Sequence, residues 1–125
     1  TSAAGADISE YFATARLTRQ QARDSAIGVL REATELENAT QEAIDGAVEE
    51  ISVMAGYSLD EAEIETLIKA KGFDECVVFL SDDSVTVAVS APEEGLSSSA
   101  VSRITDIILS ETGLSAEQIK IIEVK

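Results

Sequence analysis

The sequence predicts an α+β fold: a helical N-terminal extension followed by an α-β-β-α-β unit built on a three-stranded sheet. Three observations carry this. Residues 64–89, IETLIKAKGFDECVVFLSDDSVTVAV, pass from a helical pattern through a glycine into an apolar run, an acidic turn and an alternating run. A second helical pattern at Ser98–Thr112 and a β-rich segment at Ile119–Val124 then complete the unit. Upstream of residue 57, stripes of apolar residues recur at helical spacing, mostly steps of three and four.

Residues 1–7 are small and polar and read as a frayed start. From residue 8 the stripe Ile8, Phe12, Ala15, Ala22, Ala26, Val29, Ala33 and Leu36 describes a narrow amphipathic helix with a mostly alanine face. Asn38 with Gln41 resembles a helix start. A stripe through Ala43, Ile44, Ala47, Val48, Ile51 and Ala55 then leads to Gly56. Ser58 and Glu61 have the spacing of a capping box. They open the next helix, whose face is Ile64, Leu67 and Ile68 and whose exit is Gly72. Phe73 is placed to fold back onto that face.

Centring the hairpin turn on Asp82–Asp83 sets Leu80 opposite Val85, Val78 opposite Val87 and Cys76 opposite Val89. All six are apolar, so this face lies under the helices. The other face carries Val77, Phe79, Thr86 and Ala88, and two helices leave it open as an interaction surface; the competing reading folds the N-terminal helix over it and makes Phe79 ordinary core. The first strand, apolar on both sides, is expected at the centre of the sheet, and the alternating second strand at its edge. The second helix of the unit presents Val101, Ile104, Ile107 and Ile108, starts at the Ser97–Ser99 cap and ends at Gly113, with Leu114 packing back.

Composition excludes several functions. The 125 residues hold 24 acidic and 9 basic side chains, a net charge of −15. Such a field repels nucleic-acid backbones and anionic membrane surfaces, which are bound through lysine and arginine. An α-β-β-α order evokes the KH fold, but the GXXG clamp of that fold is missing. No histidine is present, which removes the usual general base and the commonest neutral metal ligand. The one cysteine, Cys76, sits in an apolar run and reads as a core thiol. No apolar run approaches the roughly 20 residues of a membrane helix. The chain begins at Thr1 without a signal pattern, as an excised soluble fragment would.

Asp82–Asp83 and Glu93–Glu94 lack the ligand spacing of a calcium loop and read as solvated turn acids. The Ser97–Ser99 hydroxyls have no base to activate them. Catalytic, metal and cofactor sites are therefore expected to be none. Arg16, Arg19 and Arg23 are the exception to a bland surface. They share one helix face at steps of three and four, with no acid on their own helix at a bridging distance. Either they are solvated, or they meet acids on another segment or another subunit.

Two segments carry a resemblance. YFATARLTRQQAR, Tyr11 to Arg23, resembles the opening of the soluble domain of the stage III sporulation protein AH family. ETLIKAKGFDECVVFLSDDSVTVAV resembles the helix-to-hairpin signature of the same family. The likeness spans about residues 9–125. It implies a helical extension over 1–56 and, over 57–125, a ring-building-motif domain related to type III secretion and flagellar ring proteins. It also implies a non-enzymatic subunit of a channel between mother cell and forespore. Such a subunit is anchored in the mother-cell membrane by a segment not in this chain. It lies in the intermembrane space and pairs with stage II sporulation protein Q, with a homo-oligomeric ring as its assembly. A small cytosolic ligand-binding regulatory module, dimerising through its sheet, is the alternative from another class. An upstream apolar span would separate the two.

Overall fold

The computed structural model describes residues 2–125, with side chains from residue 7. Helix α1 spans Ser2–Thr34. It takes in residues 2–7, expected as a frayed start, while residue 1 lies outside the described residues. After a short turn, helix α2 spans Gln41–Ala70 without interruption. Strands β1 (Cys76–Leu80) and β2 (Val85–Ser90), helix α3 (Ser98–Thr112), a single 3-10 turn (Ala116–Gln118) and strand β3 (Ile119–Val124) complete the chain.

Two helix starts differ from expectation. Thr40, not Asn38, caps α2, its hydroxyl accepting from the Ala43 amide at 3.1 Å. The break expected at Gly56 does not occur, so α2 crosses the anticipated boundary between residues 56 and 57 as one rod. Ser58 sits mid-helix, its hydroxyl donating to the Met54 carbonyl at 3.4 Å and accepting from Arg23 at 3.0 Å. The capping-box spacing is real, but both of its members serve a tertiary contact instead of a helix end. The other boundaries follow local chemistry. Gly72 leaves α2 at φ 102°, a left-handed conformation that glycine adopts without steric cost. Ser97 caps α3, its side chain accepting from the Ala100 amide, and Gly113 closes it.

The sheet order is β1-β2-β3. β1 and β2 are antiparallel in the expected register, with Cys76, Val78 and Leu80 opposite Val89, Val87 and Val85. β3 returns through α3 to lie parallel to β2. The central strand is therefore β2, and β1 is an edge, the reverse of the expected order. β1 is apolar on both sides because helices cover both of its faces, not because strands flank it.

One core lies between the sheet and α2 with α3: Ile64, Ile68, Cys76, Val78, Val85, Val87, Val89, Ile104 and Ile108 are all inaccessible to solvent. Phe73 and Leu114 pack against it as expected, whereas Leu67 and Val101, expected on the apolar faces, are more than a third exposed. Each fully buried aliphatic side chain contributes about 1.5–3 kcal/mol relative to exposure. A smaller core lies on the other face, where Phe12 of α1 covers Val77 and Ala88.

Candidate interaction surfaces

The first site is the outer edge of β1. The Ser90 amide donates to the Glu75 carbonyl and the Ser81 amide to the Ser84 carbonyl, bracketing the hairpin. Backbone bonding to β2 thus falls on the odd-numbered residues of β1, and the amides and carbonyls of Cys76, Val78 and Leu80 turn outward. Side chains of α1 and α2 occupy that edge. Arg16 donates to the Cys76 carbonyl at 2.7 Å and Arg19 to the Val78 carbonyl at 2.6 Å. Glu65 accepts from the Val78 amide and Glu61 from the Leu80 amide, each at 2.8 Å.

These residues also pair with one another. Arg19 meets Glu65 at 2.7 Å and Glu61 at 3.6 Å. Arg23 grips both oxygens of Glu61, at 2.5 and 3.1 Å, and Arg16 meets Glu75 at 2.8 Å. Glu61 is wholly buried, and the side chains of Arg19 and Arg23 are 17% and 14% exposed. A buried carboxylate persists only when charge and hydrogen bonds replace its water. Glu61 receives two guanidinium groups and a backbone amide.

Two neighbouring groups have shifted acidities. The Glu75 hydrogen bond holds the Arg16 guanidinium above its ordinary value, and burial pushes the Cys76 thiol up to about 12. Cys76 is thus an inert core thiol, as its sequence context implied.

The three arginines therefore find their acids inside the same chain. Sequence reasoning identified the cations but missed Glu61, Glu65 and Glu75. The available signal was spacing: Glu61 and Glu65 stand four apart on the face that also carries Ile64 and Ile68. Acids on an apolar face require cations from elsewhere.

The sheet face expected to be open is largely covered. Ile8, Phe12 and Ala15 of α1 lie over it, and Val77 and Ala88 are inaccessible. Phe79 and Thr86, nearer the β1–β2 turn, are half-buried, beside half-buried Ile122 and exposed Lys120. The α1 stripe accounts for this only over its first turns. Beyond Ala15 a half-buried line runs through Arg19, Arg23, Ala26, Ile27 and Leu30, leaving Ala22, Val29 and Ala33 exposed.

Two further features complete the surface. A groove of about 810 Å³ lies between the start of α1, the α2–β1 loop and the β2–α3 loop, with Phe73 and Leu96 among its walls. Beyond the β1–β2 turn, whose Asp82 accepts a hydrogen bond from Tyr57, α1 and α2 continue as an antiparallel pair. That bond pushes the phenol of half-buried Tyr57 up to about 12. The pair leaves Val29, Val48 and Leu59 exposed. Among the described residues no group of three or more metal-ligating side chains converges, and no helix is long and apolar enough to cross a membrane.

A family model described as SpoIIIAH-like protein matches residues 1–121. Among solved structures, a chain of the SpoIIQ–SpoIIIAH pore-forming complex is similar at a TM-score of 0.76 and 21% identity, covering 90% of this chain and 96% of that one. The type III secretion protein EscJ of enteropathogenic E. coli is similar at a TM-score of 0.53 and 23% identity, covering 60% of this chain and half of its own. At these identities the likeness to the two structures is one of fold. No curated protein matches the chain.

Proposed function

The chain belongs to the SpoIIIAH-like family, and from that premise we propose that it is a non-catalytic structural subunit of an intermembrane channel formed during sporulation. The family match over nearly the whole chain carries this reading. The shared fold with a chain of a pore-forming complex and with a secretion-system protein supports it. The composition is consistent with it too, since the absence of histidine removes the commonest general base.

In this reading the chain lies outside the cytoplasm, between mother cell and forespore, held to the mother-cell membrane by a segment outside these residues. Its partner is a SpoIIQ-like protein presented from the forespore side, and copies of the pair assemble around a pore. The internal pairing of Arg16, Arg19 and Arg23 moves the contact surface away from the arginines and onto what α1 leaves uncovered. Phe79 and Thr86, with their β3 neighbours, remain part of that surface, while Val77 and Ala88 support it from beneath.

The test is direct. The chain is mixed with the extracytoplasmic domain of the SpoIIQ-like protein from the same organism, and complex formation is followed by light scattering after size exclusion. A defined complex is expected at micromolar concentrations. If both proteins elute unchanged at every concentration up to solubility, the channel-subunit reading is withdrawn.

A further inference from the structure

The two edges of the sheet are finished differently. On β1, four of the outward backbone groups are occupied by Arg16, Arg19, Glu61 and Glu65. On β3 the Val124 carbonyl accepts from the Ala91 amide, so the even-numbered residues of this parallel strand face β2 and the odd-numbered ones face outward. The Ile119 amide is taken by the Ala116 carbonyl of the 3-10 turn. The Ile119 carbonyl and both backbone groups of Ile121 and Glu123 have no partner among the described residues.

An exposed edge is a ready template for another strand, and proteins ordinarily blunt it with charge, proline, a bulge or a cover. β3 carries neither proline nor bulge, and pairs with β2 over all six residues. Two arginines and two glutamates close one edge directly, and nothing comparable among the described residues closes the other.

The charge of the open edge narrows what fits it. The Glu123 carboxylate already accepts from the Leu96 amide at 2.7 Å. Lys120 is exposed, forms no ion pair among the described residues, and is followed by exposed Lys125. The strand itself is neutral, with Lys120 balanced by Glu123, but Glu123 is turned to the Leu96 amide, and the exposed, unpaired ammonium of Lys120 in a chain of −15 favours an acidic visitor. It also disfavours a second copy, because antiparallel self-pairing across Ile121 brings the two Lys120 side chains together diagonally while two strongly acidic bodies approach.

We propose that the outer edge of β3 is a strand-addition site that takes an extended segment of a partner protein bearing an acidic side chain opposite Lys120. Main-chain hydrogen bonds at Ile119, Ile121 and Glu123 supply affinity, and Lys120 supplies register and selectivity. This rests on the channel-subunit reading only for the identity of the partner.

The experiment follows single amides by hydrogen exchange, with and without the SpoIIQ-like extracytoplasmic domain. In the chain alone, the Ile121 and Glu123 amides exchange quickly while those of Val78 and Leu80 are protected. Binding slows exchange at Ile121 and Glu123 by about tenfold or more. Lys120→Glu leaves the melting temperature unchanged and weakens binding about tenfold at low salt. Binding without added protection at Ile121 and Glu123 overturns the edge proposal and leaves the channel reading standing. Absence of any binding overturns both. Protection that appears in the chain alone as its concentration rises would mean that a second copy fills the edge, and overturns the assigned occupant.

Discussion

Helices α1 and α3 both lie against the sheet, on opposite faces, yet different forces hold them. α3 buries Ala100, Ile104 and Ile108 in the larger core and needs no ion pair to do so. Of the described residues of α1, only Phe12 is fully buried, and after it the helix is held by Arg16, Arg19 and Arg23. Aliphatic packing is non-directional and tolerates small shifts. A guanidinium bound to one named carbonyl and one named carboxylate does not. Steps of three and four along a helix advance roughly 4.5–6 Å, close to the roughly 6.6–6.8 Å between alternate residues of a strand. The arginines thus fix where α1 sits along β1, and Phe12 supplies the apolar area.

The sharpest way to break this contrast is Glu61→Ala. It leaves Arg19 and Arg23 short of their shared carboxylate and the Leu80 amide unpaired, and should cost about 3–5 kcal/mol in urea unfolding. A cost below about 1 kcal/mol would mean that α1 is held by packing after all. Ile104→Ala should cost about 2–5 kcal/mol through lost burial and a cavity. Its cost should be the same in low and high salt, unlike that of the arginine variants, and chemical denaturation across a salt series checks this.

A third prediction concerns pH. The Cys76 thiol rises from 9.0 to about 12 on folding, so the native state holds this proton more tightly than the unfolded chain does. The associated stability is complete below pH 9 and is lost as pH climbs through the alkaline range toward 12. The slope approaches about 1.4 kcal/mol per pH unit. Melting curves of Cys76→Ala should lack that component, and an unchanged alkaline slope would place its origin elsewhere. The smallest effect belongs to Arg16→Ala. Arg16 and Glu75 are 34% and 27% exposed, so the loss should stay near or below about 1 kcal/mol and shrink further in added salt.

Much of the sheet was legible in the sequence because its signals are local. The Asp82–Asp83 turn sets the hairpin register, and Ser97 and Gly113 bound α3. The errors arose where tertiary contacts override local signals. Ser58 and Glu61 carry a helix-start spacing that Arg23 uses from another helix. The apolar character of β1 was read as centrality, because a strand buried by helices on both faces has the same composition as one flanked by strands. The arginine stripe was visible as cations lacking partners, but which acids answer them depends on α2 lying antiparallel to α1. No local pattern encodes that placement. The sheet face was left between two readings for the same reason, and the covered one holds where Ile8, Phe12 and Ala15 of α1 lie over Val77 and Ala88.

The uninterrupted passage of α2 through Gly56 has a mechanical consequence. A helix of 30 residues is about 45 Å long. Its first half pairs with α1 beyond the β1–β2 turn, and its second half carries Glu61, Glu65, Ile64 and Ile68 into the sheet. With no hinge between the halves, the αα pair is a lever whose fulcrum is the arginine clamp. A load applied near Thr40 reaches the β1 edge as torque instead of being absorbed in a joint. A subunit built this way resists bending between its helical arm and its sheet, and a glycine–proline insertion after Gly56 would turn that stiff arm into a slack tether.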